Sequence, residues 1–317
     1  MKRSALIFCL VVSATVAFGP KVSTIHDISE PSITEQTLLA SEQDSLKLVE
    51  GTEKRILKPN ESGEKSKYSV VYLHGFSSSR QDLAPVPERI ANRINATLIE
   101  TRLKGHGRDR DAMGEPSVKD WLNDAAQACK VAQQLGEEVI LIGTSTGGTL
   151  ASWLGSQPWC SDHVAAIILI SPNFGPADTN SELLLLPWGE QLARLVLGKY
   201  RTFEPHNVLQ AKYWTQSYDS RSLVTMMGVV ETTRKLLDQV EVPVLTLYSP
   251  QDRVVDSELT IVHVNRMSNP ANQIIAFEDS NDPMQHMLAG DVLSPESNDG
   301  LEVLITDFLQ SLSEKVN

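Results

Sequence analysis

Basic residues are scarce in this chain: 28 Lys and Arg stand against 40 Asp and Glu in 317 residues, a formal net charge of -12. Without Lys/Arg clusters there is little to neutralise a phosphate backbone or an anionic bilayer, which argues against nucleic acid and anionic lipid as natural partners. Cysteine is sparse too, with three in the chain, and no His/Cys cluster has the spacing of a metal site. No glycine-rich phosphate loop follows the first strand-like run, so neither a metal nor a nucleotide cofactor is expected. Internal repeats are lacking. An apolar stretch with the character of a targeting segment occurs only at the N-terminus, where Met1-Lys2-Arg3 precedes an uncharged run from Ser4 to Val16. That run is shorter than the ~20 residues of a membrane span, and Thr15-Val16-Ala17 offers small residues where a signal peptidase reads. Residues 1–17 are therefore read as a cleaved export signal, with an uncleaved anchor as the alternative, and the expected location is periplasmic or secreted. No integral membrane segment is expected after cleavage. Cys9 leaves with the signal, and Cys129 and Cys160 remain as a pair that an oxidising compartment can join or as two buried thiols.

What is present is a long alternation of strand-like and helix-like runs. Residues 18–67 are polar and weakly patterned, an irregular lead-in with edge strands conceivable at Leu46–Val49 and Arg55–Leu57. From Tyr68 the pattern sharpens. Strands are predicted at Tyr68–Leu73, Ala96–Thr101, Glu138–Ile142, Val164–Ile170, Val242–Tyr248 and Gln273–Phe277. Helices are predicted at Leu83–Ile94, Ser117–Leu135 (capped by Ser117 with Asp120 in its first turn), Ser257–Met267 and Asp299–Leu312. Strand runs that are continuously apolar rather than alternating belong to strands covered on both faces. The fold class is α/β, with a mostly parallel central sheet and helices on both faces. The core spans residues 68–172 and 242–317. Between them, residues 173–241 show no strand-like run but carry apolar residues at helical spacing, with a stop at Gly198. They read as a helical cap insertion over an apolar substrate pocket.

Gly143-Thr144-Ser145-Thr146-Gly147 lies between a predicted strand and a predicted helix. A serine in so tight a turn is exposed as a nucleophile, and glycines flank it because side chains there would collide with the neighbouring strand and helix. A serine hydroxyl needs a base to take its proton, usually a histidine oriented by a carboxylate. Asp252 follows the Val242–Tyr248 strand and His286 follows the Gln273–Phe277 strand, so the order is serine, acid, histidine. Asp256, and behind it Asp279 and Asp282, compete for the place of the acid. Two backbone amides are needed for the oxyanion. Thr146, next after the nucleophile, supplies one, and Phe76, in the His74-Gly75-Phe76-Ser77 loop after the first core strand, supplies the other. His74 is assigned the holding of that loop.

These residues, with Arg102-Leu103-Lys104-Gly105-His106-Gly107, Trp121 and Asp124, resemble the α/β-hydrolase superfamily from about residue 65 onward, and within it the monoacylglycerol-lipase-like and bacterial carboxylesterase branch. The elbow departs from that branch in carrying Thr at both variable positions, and the lead-in has no clear counterpart there. The resemblance implies a serine hydrolase acting on small-molecule carboxylic esters with an apolar acyl group. Aminopeptidase, thioesterase or acyltransferase chemistry on the same residues, and a non-catalytic binding protein, are the other readings.

Overall fold

The computed structural model describes residues 19–42, 47–59 and 64–314. The export-signal reading of residues 1–17 lies outside them. The strands are β1 (Arg55–Leu57), β2 (Ser66–Leu73), β3 (Thr97–Glu100), β4 (Gly136–Thr144), β5 (Val164–Ile170), β6 (Tyr200–Thr202), β7 (Ser217–Asp219), β8 (Val244–Tyr248) and β9 (Gln273–Ala276). Seven of them form one sheet in the order β1-β3-β2-β4-β5-β8-β9. Only β1 runs antiparallel to its neighbour. The unbroken apolar run of β5 is buried because helices cover the sheet on both sides. Each large aliphatic side chain so hidden contributes about 1.5–3 kcal/mol.

Two apolar layers result. One holds Val71, Leu73, Leu141, Ile167 and Leu169 against the helices Val118–Leu135 and Thr146–Gly155. The other holds Val70, Tyr72, Ile140, Ile168 and Leu247 against the helices Val86–Arg93 and Asn298–Glu314. The helix Val118–Leu135 begins at a reciprocal capping box between Ser117 and Asp120. Cys129 on that helix and Cys160 are joined in a disulfide, with their Cα atoms 6.6 Å apart.

Four expectations are corrected. The lead-in is not wholly irregular, since Thr34 caps a helix Glu35–Ala40 whose Leu38 enters the core together with Ile28. Of the Leu46–Val49 edge strand, Leu46 lies outside the described residues and Lys47–Val49 form none, although Val49 N–H donates to Gly107 O. Arg55–Leu57 does form the edge strand β1. The helix predicted from Leu83 begins only at Val86, because Arg80–Asp82 is a separate 3-10 turn and a cis Ala84-Pro85 bond intervenes. The stretch 173–241 is mainly helical, with helices Gly189–Leu197, Val208–Tyr213 and Arg221–Arg234, but it also contains the antiparallel pair β6 and β7. Three residues per strand are too few for an alternating pattern to be legible.

Candidate active site

β4 ends at Thr144 and a helix starts at Thr146, so Ser145 makes the whole turn, at φ 54° and ψ -119°. Such a conformation costs on the order of 1–3 kcal/mol for a residue with a Cβ and persists only if its surroundings enforce it. Here they do. Ser145 N–H donates to Ile170 O at 2.9 Å, and Ser145 O accepts from the amides of Asn173 at 3.0 Å and Thr149 at 3.2 Å. A Cβ on Gly147 would strike the Leu73 carbonyl oxygen, and one on Gly143 would strike the Gly147 carbonyl. Ser145 itself is 7% exposed. Among the described residues its hydroxyl has no hydrogen-bond partner.

The loop after β2 is fixed by two neutral imidazoles. His74 Nδ1 donates to Gly75 O at 2.8 Å while Nε2 accepts the Leu103 amide at 3.0 Å. His106 Nε2 accepts the Ser77 amide at 3.1 Å. Burial pushes His74 down to about 4 and holds His106 well below the usual histidine range, so both remain acceptors. The Arg102–Gly107 loop that carries His106 is held in turn: Trp121 Nε1 donates to Lys104 O at 3.0 Å, and Lys104 N–H donates to Asp124 at 2.6 Å.

Buried amides are normally spent on partners, which makes the remaining ones informative. Gly75 N–H donates to Asp82 Oδ2 at 2.8 Å, Ser77 N–H to His106, and Ser145 N–H to Ile170. Among the described residues, the Phe76 and Thr146 amides have no such acceptor. Thr146 N–H also opens a ten-residue helix, whose dipole favours negative charge at that end.

Asp252 and His286 are brought together from two loops at the carboxyl ends of β8 and β9. His286 Nδ1 lies 2.8 Å from Asp252 Oδ2, and the other carboxylate oxygen accepts the amides of Val254 at 2.8 Å and Val255 at 3.0 Å. The rivals are placed otherwise. Asp256 caps the helix Ser257–Val264, accepting from Glu258 and Leu259, and the exposed Asp279 gives its carbonyl to Ser297. Asp282 lies under the histidine: its carboxylate accepts the amides of His286 at 3.0 Å, Met287 at 2.8 Å and Met284 at 3.1 Å. Burial opposes a charge on His286, but Asp252, through its charge and its hydrogen bond, and then the charges of Asp282 and Asp82 outweigh it and raise the imidazole above its usual range.

Asp282, weighed in the sequence as a rival acid, thus holds the His286 loop instead, and the residue the sequence reading passed over is Asp82, which gives no sequence signal. Asp82 links the halves of the site. It binds Gly75, whose own Cβ, if present, would lie 3.3 Å from Ser145 Cβ, and its carbonyl is packed against Gly290 of the His286 loop.

The stretch 173–241 contacts both loops. Thr215 N–H donates to Ser77 O at 2.7 Å, and Asn207 Nδ2 donates to Val292 O at 2.6 Å, so residues 207–215 bridge the loop after β2 and the loop of His286. Tyr213 and Trp214 pack on Met287, Val292 and Leu293, and Tyr218 meets the Phe76 ring edge-on at 5.0 Å.

The family described as "Serine aminopeptidase, S33" matches residues 64–281. A thermostable monoacylglycerol lipase of Bacillus sp. (strain H-257) is 23% identical over 217 residues, 68% of this chain and 83% of that protein. Among solved structures, a metagenome-derived lipolytic enzyme superposes with a TM-score of 0.69 at 18% identity, covering 83% of this chain and 99% of the other. The monoacylglycerol lipase of Paleococcus ferrophilus superposes with a TM-score of 0.61 at 15% identity over 82% of this chain and 98% of its own.

Proposed function

The chain belongs to the serine aminopeptidase S33 family of α/β-hydrolases, and from that premise we propose that it hydrolyses carboxylic esters through an acyl-enzyme on Ser145. The observation that supports this reading is Asp82, which binds Gly75 beside a serine held at positive φ next to two unspent amides, and whose carbonyl packs on Gly290 of the loop carrying His286 and its buried partner Asp252. Ser145 Oγ attacks the ester carbonyl while His286 takes its proton. Asp252 keeps that proton's counterpart on Nδ1, so that Nε2 is the basic nitrogen, and stabilises the imidazolium that forms. The carbonyl oxygen becomes an oxyanion, which the Phe76 and Thr146 amides receive in a site largely closed to water. His286 then protonates the departing alcohol, and a water activated by the same imidazole releases the acid.

The relatives named as lipases and monoacylglycerol lipases support an ester with an apolar acyl chain. So do the apolar contacts that the stretch 173–241 makes with the two loops, Tyr218 on Phe76 and Trp214 on Met287. In this reading residues 173–241 are the cap that selects the chain, and the protein is exported, in keeping with the Cys129 to Cys160 bond. The test is fluorophosphonate labelling of the wild type and of Ser145→Ala, with turnover of p-nitrophenyl esters of graded chain length beside aminoacyl naphthylamides. Labelling confined to the wild type and faster turnover of esters support the reading. A labelled Ser145→Ala, or preference for the amides, overturns it.

A further inference from the structure

Asp82 is fully buried, yet the partners of its carboxylate are neutral: Gly75 N–H at 2.8 Å, Ser78 Oγ at 2.6 Å and the Tyr72 hydroxyl. Burying a carboxylate among neutral donors is expensive, and burial pushes Asp82 up to about 6. Such a group adds little stability, so its placement calls for another explanation. The geometry supplies one. The Gly75 carbonyl and the Phe76 N–H belong to one planar peptide and point in opposite directions, so whatever fixes the first aims the second. The Gly75 carbonyl lies 2.8 Å from Ser78 Oγ, the same hydroxyl that Asp82 contacts, and the Gly75 amide is held by Asp82 directly. On its far side the Tyr72 hydroxyl that Asp82 binds stands 3.1 Å from Thr144 Oγ1, on the residue before the nucleophile.

We propose that Asp82 is a positioning residue for the oxyanion site, its carboxylate orienting the Gly75-Phe76 peptide so that the Phe76 amide faces the oxygen of the carbonyl attacked by Ser145. The inference rests on the ester-hydrolase reading above. An aspartate here acts through other groups and touches no substrate, so its removal weakens binding of the transition state and leaves ground-state binding alone.

The experiment uses the purified full chain and its Asp82→Ala, Asp82→Asn and Ser78→Ala variants. It measures kcat and KM on p-nitrophenyl butyrate and Ki for an aryl trifluoromethyl ketone, which forms a tetrahedral oxyanion on the serine. In Asp82→Ala the expected result is a kcat lower by at least about tenfold, KM within about twofold of wild type, and a Ki raised in parallel with the loss of kcat. Asp82→Asn, which keeps an acceptor, recovers part of the loss. A folded Asp82→Ala with kcat and Ki within about twofold of wild type overturns the inference, as does a loss expressed equally in KM. Should Asp82→Ala not fold, Ser78→Ala decides, with a kcat about threefold lower at constant KM expected and an unchanged kcat fatal. A wild type that neither hydrolyses the ester nor labels with fluorophosphonate removes the ester-hydrolase reading itself. An active wild type with an equally active Asp82→Ala removes only this inference.

Discussion

The two halves of the site are held by different physics. Ser145 sits at the end of a central strand, where backbones approach so closely that Gly143 and Gly147 have no room for a Cβ. His286 sits in the loop beyond β9, at the sheet's edge, and is held by carboxylates: Asp252 on its ring and Asp282 on its amide. The serine half therefore tolerates changes of charge better than changes of volume, and the histidine half the reverse.

The largest effect expected is on the histidine half. Asp252→Asn leaves the size unchanged but takes the charge from the imidazolium, and kcat should fall by roughly 10³–10⁴ on a nitrophenyl ester. A loss below about tenfold would show that Asp252 does not orient the base. On the serine half, Gly147→Ala forces a Cβ into the Leu73 carbonyl, with backbone on both sides of the clash and nothing flexible to yield. It should cost upward of about 3 kcal/mol in urea unfolding or prevent folding, and a near-neutral result would break the distinction drawn here.

Next in size is a change remote from both halves. The disulfide closes a loop of 31 residues, so Cys129→Ala with Cys160→Ala should lower stability by roughly 3–4 kcal/mol with kcat unaffected at low temperature. A parallel loss of kcat would mean that the helix after Ser145 depends on it. The smallest effect concerns pH. His286 must be neutral to accept a proton, and its raised pKa moves the acid limb of kcat/KM to higher pH than an ordinary histidine would give. Asp282→Asn removes one negative charge near the ring, making the imidazolium less favourable. The midpoint should move down by less than about one pH unit, with kcat within about fivefold. An upward shift would contradict the assignment of Asp282 as a stabilising charge.

How legible each half was follows from the same contrast. Gly143-Thr144-Ser145-Thr146-Gly147 between an apolar strand and a helix is contiguous, so local sequence reports the local strain. The Asp252 and His286 positions were legible through their places after β8 and β9, because loops at the carboxyl ends of parallel strands converge at one edge. The stretch 173–241 was legible as a break in the strand-helix alternation, but not in its faces. Met226, Met227 and Leu184 are buried, whereas Leu186, Trp188, Leu195 and Val196 are exposed at 51%, 39%, 84% and 69%. Periodicity finds an apolar stripe without saying what lies against it.

Period, punctuation and order along the chain determined the parallel sheet, its helices and the turn at Ser145, since each depends on residues a few positions apart. Only the tertiary structure decided that two histidines serve as neutral acceptors, that Asp282 grips the His286 loop from below, and that Asp82 ties Gly75 to Tyr72 on β2. The roles of these groups come from burial and from partners that folding brings within hydrogen-bond reach, and neither quantity exists until the sheet has closed its two layers.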